Sequence, residues 1–129
     1  MYDASEGALY VLFALVLTSH LAAPGIAAIE HLDRVLHPRV ARALFRSLAE
    51  RVKRTGQQLL LSTHLPTSLD ALALADDDVR LFVVDRTVGG TTVVRRIEHS
   101  DALAKAEASG LTLSQPWVQG VLGGVPNVW

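Results

Sequence analysis

The chain has 129 residues, of which 50% are apolar, and its formal net charge is −1. This length and composition predict a single globular domain with a moderate core, and the balanced charge argues against a strongly basic nucleic-acid binder. Cysteine is absent, which excludes a disulfide framework and a thiolate metal site and fits a cytoplasmic protein.

The first predicted element is a helix that begins after Ser5 and runs to about Ser19. Apolar residues surround it on all sides, so the pattern predicts a buried helix that other elements cover. Its apolar run, residues 8–17, is well short of the roughly 18 to 20 residues that cross a bilayer. Acidic residues precede the run where a secretory signal carries positive charge, so we expect neither a membrane span nor a targeting segment.

A short apolar strand follows Pro24 and ends at Glu30. A helix is predicted over residues 38–55, where apolar side chains recur at helical spacing and arginines occupy the other face. A second apolar strand, residues 58–63, ends just before His64. Strand, helix and strand in this order predict a right-handed crossover unit with two parallel strands.

Smaller elements are predicted downstream of the second strand. A short helix opens at Pro66 and ends at the acidic run 76–78. Two apolar strands then flank residues 88–90 as an antiparallel hairpin, which would make the sheet mixed. Two further short helices are expected over residues 100–109 and 113–122.

Residues suited to phosphate and Mg²⁺ chemistry lie at the ends of the two parallel strands. Glu30 ends the first strand and His64 follows the second, and α/β proteins bind ligands at the carboxyl ends of such strands. A nucleotide site also needs a glycine-rich loop with a lysine, but no Gly-x-x-x-x-Gly-Lys-Ser/Thr pattern occurs in these 129 residues. The pattern therefore predicts half of a nucleotide site.

Four motifs in the correct order resemble the C-terminal half of an ABC-type ATPase head, in the RecF- and SMC-like branch of the AAA ATPases. Ser5-Glu6-Gly7 looks like the signature motif, and Ile26 to Glu30 looks like the Walker B strand. Leu36-His37-Pro38 resembles the segment that follows Walker B, and Leu61-Ser62-Thr63-His64 resembles the switch-histidine strand. The resemblance implies the α/β fold of the C-terminal lobe of a P-loop ATPase head. Within one domain over 1–129, it predicts a motif-bearing core over residues 1–98 and a helical tail over 99–129.

The resemblance implies a role for each matched residue in an ATP site that two heads share. Glu30 is expected to hold Mg²⁺ through water, and His64 to hydrogen-bond the γ-phosphate. Ser5 and the amide of Gly7 are expected to contact the nucleotide of the opposite head. Three residues fall in the D-loop, which lies along the dimer interface: Asp33, Leu36 and His37.

His31 departs from the family pattern, which places a second carboxylate at this position to activate the attacking water. An imidazole can accept a proton, but beside a polyanionic nucleotide it tends to be protonated and to lose that ability. We therefore expect slow or absent ATP turnover. The expected partner is a Walker A lobe from another segment or chain, in a homo- or heterodimer. We expect turnover to stay slow or absent even when that lobe completes the site.

Several alternatives stay open from the sequence. The fold can persist as a non-catalytic dimerisation module, which His31 favours. A metal-dependent nuclease would use the acidic run 76–78, and the arginine-rich face of the helix over 38–55 is a candidate for DNA contact. A metal site at His31, Asp33 and His37 has suitable ligand types but matches no known ligand spacing.

The candidate site residues also have ordinary structural explanations. Ser5 is suited to cap the helix that follows it, and capping and phosphate contact use the same geometry. Glu30 and His64 can be solvent-facing residues at strand ends. Their occurrence in order with the signature-like Ser5 favours the nucleotide site.

Overall fold

The structure is a computed structural model, and it describes residues 5–20, 22–100, 110, 112–120 and 122. Its helices and strands follow in this order: α1 (Glu6–Leu17), β1 (Ile26–Glu30), α2 (Pro38–Thr55), β2 (Gln58–Ser62), α3 (Pro66–Leu69), β3 (Leu81–Arg86), β4 (Thr92–Ile97) and α4 (Ser114–Val118). Parallel strands with flanking helices and an antiparallel hairpin confirm the predicted α/β class.

The chain divides into two compact units, residues 1–71 and residues 72–129. The first unit contains all the motifs that resemble an ATPase head, and the second contains the hairpin and α4. The expectation of one domain with a core over residues 1–98 stays a prediction.

Helix α1 begins as predicted but is not covered on all sides. The hydroxyl of its N-cap, Ser5, accepts a hydrogen bond from the Ala8 amide at 3.2 Å. Ala14 is fully buried, whereas four apolar side chains are more than half exposed: Leu9, Leu12, Phe13 and Val16. The prediction of a helix buried all round is therefore wrong, because the described chain packs against only one side of α1. No helix in the described part of the chain has both the length and the apolarity to span a membrane.

Helix α2 matches its predicted bounds, residues 38–55. Pro38 lies in its first turn, and His37 caps it by accepting a hydrogen bond from the Arg39 amide at Nδ1. Gly56 ends it in the left-handed conformation, with φ 69°, which glycine adopts without steric cost. Its core face consists of four side chains: Ala41, Leu44, Phe45 and Leu48.

Strands β1 and β2 pair in parallel, as the crossover unit predicts. Side chains alternate between the two faces of a sheet, and the inner face here packs against α1 and α2 through Ile29, Leu59 and Leu61. On the outer face, Ile26 is 64% exposed and Leu60 is 57% exposed. Within the described part of the chain, helices therefore cover one face of this sheet, while apolar side chains on the other face are exposed.

The segment after β2 differs from the prediction in two ways. Helix α3 ends at Leu69, and the acidic run 76–78 lies in turns rather than at a helix end. Strands β3 and β4 pair with each other as a hairpin and form their own two-stranded sheet, separate from β1 and β2. The expected mixed sheet is therefore wrong, because β3 pairs only with the strand that follows it.

The tail is only partly described. Nearly all of the helix predicted over 100–109 lies outside the described residues. The helix predicted over 113–122 is shorter, since α4 spans five residues. Leu113 and Leu122 are buried, and the Arg95 guanidinium in β4 donates to the Leu122 carbonyl at 2.7 Å. The hydrogen bond from Arg95 joins Leu122 of the tail to the hairpin.

Candidate functional site

The carboxyl ends of β1 and β2 bring together the residues that the sequence predicted for phosphate chemistry. Glu30 is the last residue of β1 and pairs in register with Ser62, the last residue of β2. His64 follows two residues later and is exposed. The Glu30 side chain is 81% exposed. A carboxylate and an imidazole thus lie at the same edge of the sheet, both accessible to a ligand in solvent.

His31 contacts both of these predicted ligands. Its Nε2 atom lies 3.4 Å from Oε1 of Glu30, and its ring centroid lies 4.6 Å from that of His64, with the ring planes tilted by 32°. Its backbone N–H donates to both the carbonyl and the hydroxyl oxygen of Ser62, at 3.1 and 3.2 Å. The residue that departs from the family pattern is therefore part of the strand-end cluster, defined as Glu30, His31 and His64.

The backbone of His31 is in the left-handed region, with φ 49°, and among the described residues no other non-glycine residue has a positive φ. This conformation is uncommon for residues with a Cβ, and it persists only where the surroundings hold it. The two hydrogen bonds from its N–H to Ser62 supply such a restraint. Backbone strain of this kind concentrates at functional sites, which agrees with a ligand site at the strand ends.

Asp33 lies close to the strand-end cluster but is itself 1% exposed. Its Oδ2 atom accepts hydrogen bonds from the hydroxyls of Thr63 and Ser68. Thr63 Oγ1 in turn accepts from the Leu65 amide at 2.9 Å. The carboxylate therefore ties the loop after β1 to the loop after β2 and to α3, and its predicted place at a dimer interface stays a prediction.

The other predicted site residues each have a role within the fold. A Cβ at Gly7 would lie 3.1 Å from Leu36 Cδ2 and 3.2 Å from the Val35 carbonyl oxygen, so glycine lets α1 approach the segment after β1. Leu36 is in the core, His37 caps α2, and Ser5 caps α1. Their nucleotide and interface roles stay predictions.

Sequence reasoning did not single out Thr63 and Ser68. They lie 30 and 35 residues from Asp33, so no local spacing connects them to it. The available signal was a set of hydroxyl residues at the end of the second strand and just after it, at Ser62, Thr63, Thr67 and Ser68.

In the described residues, no group of three or more His, Cys, Asp and Glu side chains is placed to hold a metal ion. Asp33 is buried against two hydroxyls and His37 caps a helix, so the alternative metal site with His31 does not form. In the acidic run, Asp76 accepts a hydrogen bond from the Asp78 amide at 3.1 Å, as in an Asx turn. Mg²⁺ held through water by Glu30 requires a single carboxylate and stays a prediction.

Comparison with known protein families finds a match over the first part of the chain. Residues 1–70 match the family described as "AAA domain, putative AbiEii toxin, Type IV TA system", which is 70 of the 129 residues. A search of curated proteins found no match. The matched range contains α1 to α3 and the whole strand-end cluster. It confirms the AAA part of the resemblance, and AAA ATPases generally use ATP and Mg²⁺. The chain belongs to this AAA domain family and carries an ATPase-like domain related to the P-loop AAA-type ATPases.

Proposed function

We propose that this chain is the C-terminal lobe of an ABC-type ATPase head of the RecF- and SMC-like branch, and that it contributes residues to a composite ATP site. The observation that carries the proposal is the meeting of Glu30, His31 and His64 at the carboxyl ends of two parallel strands. This edge of an α/β sheet is where such folds bind ligands. Membership of an AAA family supports ATP and Mg²⁺ as those ligands.

The side chains of the strand-end cluster fit these ligands chemically. Glu30 offers a solvent-exposed carboxylate, the oxygen ligand that Mg²⁺ prefers, and it can act through the water that Mg²⁺ retains. His64 offers an exposed imidazole whose N–H can donate to a phosphate oxygen. Bound Mg²⁺ would neutralise charge on the phosphates, while this chain's contribution is to place the carboxylate and the imidazole beside each other.

Uncovered apolar surface supports a partner lobe that carries the phosphate-binding loop. Parallel sheets occur almost only with both faces covered, and β1 and β2 expose Ile26 and Leu60 on the outer face. Helix α1 adds four apolar side chains that are more than half exposed. Exposed apolar patches of this kind mark interaction surfaces. The proposed partner is a Walker A lobe, from another segment or another chain, in a homo- or heterodimeric assembly.

His31 leads us to propose that the completed site binds ATP but hydrolyses it slowly. A carboxylate at this position would accept a proton from water through either oxygen, whereas an imidazole has an acceptor nitrogen only when neutral. Nε2 of His31 lies 3.4 Å from Oε1 of Glu30, the carboxylate proposed for Mg²⁺.

Reconstitution with a Walker A lobe from an AAA-domain ATPase tests the proposal. Calorimetry should show that Mg-ATP binds the pair of lobes and does not bind this chain alone at micromolar concentration. Turnover should be near background and should rise by about 10² to 10⁴ in His31→Glu, the usual contribution of a positioned general base. His20→Glu is the matched control, since it introduces the same change before the amino end of β1. Failure of the pair to bind Mg-ATP would show that the proposal is wrong.

A non-catalytic interaction module is the second candidate function. His31 favours this function because it weakens catalysis. The exposed stripe of α1, formed by Leu9, Leu12, Phe13 and Val16, also favours it, because exposed apolar side chains are suited to contact with a partner. In this case the chain associates with itself or with the Walker A lobe, but neither the wild type nor His31→Glu hydrolyses ATP. DNA contact by the arginine-rich face of α2 stays a prediction.

A further inference from the structure

A buried carboxylate joins the two loops that carry the strand-end cluster. Asp33 follows Glu30 by three residues, and its hydrogen-bond partner Thr63 directly precedes His64. The Asp33 carboxylate is therefore on the loop that carries one predicted ligand and is bonded to the immediate neighbour of the other.

The directions of these hydrogen bonds follow from the donors that are present. A carboxylate only accepts, so the hydroxyls of Thr63 and Ser68 both donate to Asp33. The Thr63 oxygen then accepts from the Leu65 amide, directly before the first residue of α3. Hydrogen bonds to an ionised acceptor are stronger than bonds between neutral groups. The network therefore sets the course of the chain from β2 through His64 into α3.

Burying a carboxylate is unfavourable unless hydrogen bonds compensate, so Asp33 is an unusual choice for an ordinary loop. A serine or an apolar residue would fill a loop core at lower cost. The loop it secures carries His64, whose ring lies against His31. The buried carboxylate of Asp33 is explained if it fixes the position of the His64 ring.

We propose that Asp33 is a positioning residue, which holds the ring of His64 against that of His31 through the hydroxyls of Thr63 and Ser68. It thereby sets the spacing between the groups proposed for Mg²⁺ and the γ-phosphate. The identity of those ligands rests on the proposed function. The positioning itself is a property of the free chain, and it is tested without nucleotide.

The test is the nuclear Overhauser effect between the ring protons of His31 and His64 in the isolated, isotope-labelled chain. The wild type should show it, since the ring centroids are 4.6 Å apart. Thr63→Val, which keeps the branched shape without the hydroxyl, and Ser68→Ala should lose it while circular dichroism shows the fold retained. Asp33→Asn keeps an acceptor oxygen and should retain part of the signal, whereas Asp33→Ala should lose it.

Thr18→Val is the matched control, because it removes the same hydroxyl from a threonine that donates to the Ala14 carbonyl away from the site. A merely structural role predicts that Thr63→Val and Thr18→Val both lower stability and both keep the ring-to-ring signal. That result, or a wild type without the signal, would overturn the positioning role. Signal loss confined to the Asp33 network, together with no binding of Mg-ATP by the reconstituted pair, would instead leave the positioning in place and remove the proposed function.

Discussion

Helices α1 and α2 both pack against the inner face of the same two-stranded sheet, yet they bury their side chains very differently. Helix α2 is amphipathic, and its large buried side chains, Leu44, Phe45 and Leu48, all lie on one core-facing side. Helix α1 is apolar on all sides, and the stripe formed by Leu9, Leu12, Phe13 and Val16 is more than half exposed. The described residues cover the core-facing side of α2. They do not cover the exposed apolar side chains of α1.

Matched leucine truncations in the two helices give the largest expected difference. Leu48→Ala in α2 removes a side chain with no exposed surface and should lower the free energy of unfolding by about 2 to 5 kcal/mol. Leu12→Ala in α1 removes a side chain that is 58% exposed and should cost less than about 1 kcal/mol. Urea unfolding measures both. Equal losses would show that the α1 stripe is covered in solution.

A charge on the α1 stripe should act on association rather than on folding. Phe13→Glu should weaken binding of the Walker A lobe at least about tenfold, because an unpaired charge in an apolar interface costs more than about 1.4 kcal/mol. Val40→Glu, at a similarly exposed position on α2, should leave the affinity unchanged. Sedimentation velocity or calorimetry provides the affinities. Equal effects of the two variants would remove the distinction between the helices.

Two substitutions at Ser5 distinguish a role in capping α1 from a role in nucleotide contact. Ser5→Ala should lower the free energy of unfolding by about 1 kcal/mol, since it removes the acceptor for the Ala8 amide. Ser5→Asp keeps a capping oxygen and should preserve stability, but it should weaken Mg-ATP binding in the assembled dimer by placing a negative charge beside the phosphates. Wild-type nucleotide affinity in Ser5→Asp would leave Ser5 with a capping role only.

An effect of similar size is expected at the end of α2. Gly56→Ala should cost about 1 kcal/mol, because φ 69° brings a Cβ into conflict with the backbone. Gly25→Ala is the matched control: its φ is outside the left-handed region and nothing lies within 4 Å of an added Cβ, so stability should change by less than about 0.5 kcal/mol. Thermal or urea unfolding compares them, and similar losses would contradict the capping account.

Local sequence signals specify some parts of this fold and leave others open. The bounds of α2 followed from Pro38, Gly56 and the helical spacing between them, all of which are local signals. The end of α3 did not, because apolar residues after Leu69 continue a helical pattern. In the structure, residues distant in sequence contact the end of α3: Asp33 contacts Ser68 and Arg42 contacts Asp70.

The candidate site likewise has features that the sequence could predict and features that it could not. Parallel pairing brings the carboxyl ends of two strands to one edge, so Glu30 and His64 could be placed together from the strand pattern alone. The contact of Asp33 with Thr63 and Ser68 could not, since it depends on the conformations of two loops. The exposed stripe of α1 could not be predicted either, because hydropathy reports what a helix prefers and not which neighbours it has.

If nucleotide binds at the strand-end cluster, Mn²⁺-ATP should reveal it by paramagnetic broadening of the histidine ring signals. In the complex with a Walker A lobe, the ring signals of His31 and His64 should broaden strongly. The ring of His20, which precedes the amino end of β1, should be unaffected. Equal broadening of all three rings, or broadening of His20 alone, would contradict a nucleotide site at the carboxyl ends of β1 and β2.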